Sequence, residues 1–306
     1  MTSQQTLTVT QSPRASPVGV PGGVDPVVAA ALEAIAYADV FDWPLTAAEV
    51  HRFLPVRAQR FEVSVALGRA ALDGLVVRVG SLYVLPGRAS LVARRCDREA
   101  TSARLWPAAV RWCRMLARLP WVRLVAVSGS LAVGAAGDGA DVDLFIVTVD
   151  GRVWLGRALA IAVGRASRRG ELWLCPNYIL GEGSLALPER DLFTAHELVQ
   201  LVPLFGPDAY RALLAANGWY REFLPNHPGY SGRVGALPGR AVRRAVEPLL
   251  RNPAVARLED WEMRRKVARL GGAPARDPAE VRFDATTSKG HFGGYRRRTL
   301  ERLRRA

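Results

Sequence analysis

Three short runs constrain this chain more than any others: the stretch Trp121 to Val127, the turn Ser128-Gly129-Ser130, and Asp141-Val-Asp-Leu-Phe-Ile-Val-Thr148. Residues 121–127 are apolar and β-branched, which predicts a buried strand ending at a glycine-containing turn that opens a short helix. Such a turn aims unpaired backbone N–H groups outward and attracts phosphate. Asp141 and Asp143 stand one residue apart on a second strand, so both carboxylates project from one face while Val142 points the other way. Side by side they repel unless a cation lies between them. A divalent ion carrying nucleotide phosphates suits, since Mg²⁺ takes one or two carboxylates together with phosphate oxygens. A plainer reading makes Gly129 a tight turn, Ser130 a helix cap and Asp141 a strand-opening turn residue. Asp143 argues against it, because an unpaired acid inside an apolar strand is costly.

Gly129-Ser130 followed by Asp141-Val142-Asp143 resembles the signature of the DNA polymerase beta-like nucleotidyltransferase superfamily, over residues 105–225. The resemblance implies that Gly129 and Ser130 hold the triphosphate of a donor NTP. It implies that Asp141 and Asp143 bind Mg²⁺ or Mn²⁺ and assist attack on the α-phosphate with loss of pyrophosphate. The flanking pattern agrees: a helix over 151–168, a third strand over 171–180, and helices over 191–205 and 207–223 separated by Gly206-Pro207. In many members a third carboxylate lies on that third strand, and here it is not evident. Counting by twos, Glu171, Trp173, Cys175, Asn177 and Ile179 share one face, so Asn177 and Glu171 are the candidates for the third site position. An asparagine can ligate a metal through its carbonyl oxygen but cannot act as a base. Glu171 as the third acid, another route to activating the acceptor, loss of catalysis, and Asn177 as an ordinary buried amide all stand open.

Upstream, residues 1–23 are polar and Pro/Gly-rich and read as a disordered tail with no signal-peptide core. Residues 24–88 then form a separate unit. Asp25-Pro26 opens a helix running to Asp39, Thr46-Ala-Ala-Glu49 is a capping box for a second helix, and a third spans Ala58 to Leu72. Gly80-Ser81 between two apolar runs signals a hairpin. This order resembles a winged-helix domain. Such domains often read DNA with the third helix, but its expected exposed residues, Arg60, Glu62, Ser64, Arg69 and Asp73, are nearly neutral. Docking or substrate positioning fits that surface better. A helix from Ala89 to Leu105, stopped by Pro107, would connect to a nucleotidyltransferase core over 89–226.

Residues 227–306 read as a helical, Arg-rich region, with helices at Asp260 to Arg269 and Tyr295 to Arg305. Their basic faces could track nucleic acid or anionic lipid, or remain a solvated tail. Lys289 is one of only two lysines, the other being Lys266, so it reads either as a compact ammonium near phosphates or as a chance loop residue. The formal charge of +14 fits an anionic partner, although 42 basic residues that are nearly all arginine also fit genomic base composition. No apolar run approaches the roughly 20 residues of a membrane span, and the expected location is cytoplasmic. Cys96, Cys113 and Cys175 read as buried free thiols. His196 beside Glu197 reads as a surface pair. Neither lysine follows a glycine, which argues against a Walker loop, and Ser130 lacks the nucleophile elbow of hydrolases. The fold class expected is α+β, with an N-terminal winged helix and a nucleotidyltransferase-type α/β core. The function expected is Mg²⁺-dependent NMP transfer from an NTP to a hydroxyl. The alternative is a nucleotide-binding protein of weak or absent activity whose winged helix meets DNA or a protein, or a structural remnant that binds neither metal nor nucleotide.

Overall fold

A computed structural model describes residues 25–168, 172–239, 252–271, 279–290 and 294–305, with positions 245, 246 and 248. The expected tail over 1–23, the candidate Glu171, and His291 and Phe292 beyond Lys289 lie outside the described residues. The described chain is α+β with two sheets.

The N-terminal part comprises α1 (Pro26–Asp39), β1 (Leu45–Thr46), α2 (Ala47–Phe53), α3 (Arg60–Leu72), β2 (Val77–Val79) and β3 (Leu82–Val84), with sheet order β1-β3-β2. The capping residues act as the sequence predicts. Asp25 Oδ1 accepts from the Val27 amide at 2.8 Å. Thr46 Oγ1 accepts from the Glu49 amide while Glu49 Oε2 accepts from the Thr46 amide, at 3.2 and 2.7 Å. A core of Ala31, Ile35, Val50, Leu54, Val63, Leu67 and Tyr83 fills the space between helices and sheet.

Helix α4 (Leu91–Leu116) runs straight through Pro107, which corrects the expected stop there. Proline removes one helical hydrogen bond at a cost of ~3 kcal/mol. Burial of Leu91 and Arg95 before it, and of Ala109, Cys113 and Leu116 after it, outweighs that loss. Arg95 also bonds Glu49 Oε2 at 2.8 Å, tying α4 back to α2.

The second sheet has six strands: β4 (Val122–Val127), β5 (Val142–Thr148), β6 (Leu174–Gly181), β7 (Val202–Phe205), β8 (Val281–Phe283) and β9 (Thr287–Gly290), in the order β7-β4-β5-β6-β9-β8. Among the pairs these described strands make, β5–β6 is parallel, joined through α6 (Val153–Ser167), and the others are antiparallel. One face of the sheet, with Val125, Leu144, Ile146 and Ile179, packs on α4 and α6 through Cys113, Leu116, Trp154 and Ala160. The other face, with Leu124, Phe145, Val147 and Tyr178, packs on α7 (Leu192–Gln200) and α8 (Pro207–Ala216) through Ala195, Leu198 and Leu213.

Two expected helices are shorter than the sequence suggested. The helix over 191–205 ends at Gln200, and residues 202–205 form β7 instead. Pro203 has no N–H to continue a helix, and as an edge strand β7 tolerates the missing donor. The helix over 207–223 breaks at Asn217 into α8 and a 3₁₀ turn, Gly218–Glu222. The buried Asn217 amide accepts from the Leu187 amide at 2.8 Å and donates to the Leu185 and Leu213 carbonyls at 2.7 and 2.8 Å, which competes with helix continuation.

The C-terminal region is not simply helical. Besides α9 (Pro253–Gly271) and α10 (Tyr295–Arg305) it supplies β8 and β9, and β9 pairs with β6 to extend the core sheet. Both helices are docked. Glu259 on α9 accepts from the Trp154 and Leu155 amides at 2.7 and 2.9 Å and caps α6. On α10, Thr299 and Leu303 are buried and Arg296 bonds Asp191 at 2.7 Å, so this basic segment is not a solvated tail. Among the described residues no helix is long and apolar enough to cross a membrane.

Candidate active site

Strands β4 and β5 are neighbours, and the Ser128 amide donates to the Asp143 carbonyl at 2.9 Å, so the turn after β4 lies directly against the acid of β5. Gly129 has φ +64, and a Cβ added there would overlap the Asp143 carboxylate. Both the backbone angle and the close approach require glycine. The helix that follows, α5 (Gly129–Ala132), has only four residues, so this turn offers hydrogen-bond donors rather than a developed helix dipole.

Asp143 is half-buried on the sheet face that meets α7, the face it shares with Phe145 and Val147. Burial pushes its carboxyl up to about 6 and the neighbouring Asp141 adds to the rise, against a hydrogen bond from Asn177. That bond, Asn177 Nδ2 to Asp143 Oδ1 at 3.0 Å, joins the two central polar residues of β5 and β6. It arises in a way that alternation misses. The β5–β6 register shifts, with Leu144 opposite Pro176 and Phe145 opposite Tyr178, so Asn177 is the extra residue of a bulge. Cys175 therefore stands opposite Asp143, whereas Ile179 packs on the opposite face among Leu144 and Ile146, which corrects the expected common face. Burial pushes the Cys175 thiol up to about 11, with Asp143 and Asp141 contributing, so it stays protonated at neutral pH.

Gly129, Ser130, Asp141, Asp143 and Asn177 all line one cleft of about 970 Å³ between the N-terminal part and the large sheet. Its other wall carries Tyr37, Trp43 and Phe53, and two cations, Arg52 and Arg98. Two hard carboxylates on one floor suit Mg²⁺ or Mn²⁺, which complete their coordination with phosphate and water oxygens. Among the described residues no group of three or more His, Cys, Asp or Glu side chains is spaced to hold a metal ion. Desolvation and the neighbouring Asp141 both disfavour the ionised Asp143, and a cation placed at the pair would offset that.

Sequence reasoning missed Arg52, Arg98 and Glu197, all of which line the cleft from elements far from the Gly-Ser turn in sequence. Glu197 left no distinct signal, since α7 also carries Thr194, His196 and Gln200. His196 and Glu197 are not a surface pair. His196 is 4% exposed, stacked on Tyr37 at 3.9 Å and tilted against Phe53 at 4.9 Å, and burial pushes its ring down to about 3. Lys289 is buried on β9, where its ammonium bonds Glu189 and the Ala279 carbonyl and lies 5.1 Å from the Tyr178 ring centre. Of the three cysteines only Cys113 is fully buried; Cys96 is exposed and Cys175 half-buried. No family model, no curated protein and no solved structure matched this chain.

Proposed function

We propose that this protein is a nucleotidyltransferase of polymerase beta-like architecture that moves an NMP from an NTP to a hydroxyl acceptor. One observation carries the reading: the Gly129 backbone lies so close to the Asp143 carboxylate that no Cβ fits between them, and both open into the cleft with Ser130 and Asp141. In this reading Asp141 and Asp143 hold Mg²⁺ or Mn²⁺, which supplies charge neutralisation at the α-phosphate and at the departing pyrophosphate. The Gly129 amide and the Ser130 hydroxyl take outer phosphate oxygens, with Arg52 and Arg98 offering charge-assisted donors from the opposite wall. Asn177 holds the Asp143 carboxylate in one orientation through its amide. The three helices and small sheet at the N-terminus support a winged-helix unit whose α1 and α2 wall the cleft. Its exposed α3 surface carries Phe61 and Val65, which suits protein docking better than a phosphate-lined groove.

The alternative, metal and nucleotide binding without turnover, draws on Asn177 standing where superfamily members carry a third acid. An assay separates the two. Purified protein is incubated with the four α-phosphate-labelled NTPs, Mn²⁺ and a clarified cell extract, beside an Asp141→Ala, Asp143→Ala double variant. Label moved onto an acceptor by wild type alone supports transfer; equal labelling by the double variant, or none by either, overturns it.

A further inference from the structure

We propose that Glu197 is the general base that takes the proton of the acceptor hydroxyl, the task that Asn177 cannot perform. The inference rests on the nucleotidyl-transfer reading of the acid pair. Glu197 belongs to α7, which packs against α5 and against the sheet face that carries Asp143. Ala195, Leu198 and Val199 of that helix join Phe145 and Val147 in one apolar cluster, whereas Glu197 opens into the cleft that Asp141 and Asp143 line. Asp143 of β5, Asp141 just ahead of that strand and the acid of α7 thus border the same cleft.

The groups around Glu197 set its proton affinity. They are Asp143 on β5, Lys289 on β9, Glu189 and Asp191 ahead of α7, Tyr37 on α1 and Tyr178 on β6. The Lys289 ammonium, which favours the ionised form, also serves Glu189. Burial, helped by the three neighbouring carboxylates, prevails over it and pushes Glu197 up to about 7. A base of that strength is partly ionised at neutral pH and still avid for a proton, the compromise that general base catalysis favours. In the transfer step the hydroxyl proton passes to the Glu197 carboxylate as the hydroxyl oxygen forms a bond to the α-phosphorus. The bond from that phosphorus to the bridging oxygen breaks, pyrophosphate leaves with the electron pair, and Glu197 later yields its proton to water.

The test uses the full chain with α-labelled ATP, GTP, CTP and UTP, Mn²⁺ and a clarified cell extract as the acceptor source. Glu197→Gln is expected to lower the transfer rate about 10²- to 10³-fold. Mn²⁺ binding, read by electron spin resonance, should be unchanged, as should the circular dichroism spectrum. The wild-type rate should rise with pH to a plateau, a limb that Glu197→Gln lacks and Glu197→Asp retains at a lower rate. A Glu197→Gln rate within a few-fold of wild type, or the same pH limb in that variant, overturns the proposal while leaving the transfer reading intact. Absence of transfer by wild type overturns both.

Discussion

Position 129 admits no side chain, and the reason is chemical as well as steric. A methyl group there meets the Asp143 carboxylate and forces a non-glycine residue to adopt φ +64. Gly129→Ala should therefore cost ~1–3 kcal/mol of stability, read from urea denaturation, and displace the acid that the site depends on. Asp143 itself makes the opposite prediction. Its folded carboxyl titrates at about 6 against an ordinary 3.8. The folded chain thus holds that proton more tightly than the unfolded chain. The associated stability is fully present below pH 3.8 and is lost as pH rises through 6. Asp143→Asn keeps the shape and the partner Asn177 without the buried charge, so at pH 7.5 it should raise stability by ~1–2 kcal/mol. A less stable variant at that pH contradicts this account of the site. Both residues were legible in the sequence, because an acid in an apolar strand and a glycine at its neighbour's end are local signals. Asn177 was legible only as a candidate: the bulge that turns it toward Asp143 depends on how β6 meets β5.

Elements whose boundaries are set by their own residues were legible, and those set by distant partners were not. Asp25 and the Thr46/Glu49 box start α1 and α2 where the sequence says they should. Strand β9, Thr287–Gly290, has no alternation of its own and becomes a strand by pairing with β6. The start of α6 likewise depends on a residue far along the chain. Glu259 satisfies the Trp154 and Leu155 amides, and Glu259→Ala should leave them without that acceptor at a cost of ~1–2 kcal/mol. Amide hydrogen exchange should show the loss first at residues 153–156. Unchanged protection there would mean that α9 merely rests on α6.

The whole molecule builds its cleft from three separated stretches, and their meeting point is His196, between Tyr37 of α1 and Phe53 of α2. Burial holds this ring at about 3, with His227 adding to the depression, so the folded chain excludes a proton that the unfolded chain accepts below 6.5. Stability from this group is fully present above 6.5 and falls as pH drops toward 3. His196→Phe keeps an aromatic ring and cannot take a proton. Its stability relative to wild type should therefore improve by ~1–2 kcal/mol between pH 7 and pH 5, followed by denaturation at each pH. A constant difference across that range contradicts the account. Such an interface cannot be read from any one stretch of sequence, since its members lie on α1, α2 and α7. The central claim, that the Gly129–Asp143 floor of this cleft binds a metal with a nucleotide, is tested most directly by calorimetry. Wild type and Asp143→Asn are titrated with an α,β-imido NTP of each base, with and without Mn²⁺. The account predicts metal-dependent binding by wild type that Asp143→Asn loses while remaining folded; binding that ignores both the metal and the substitution, or no binding of any of the four, would contradict it.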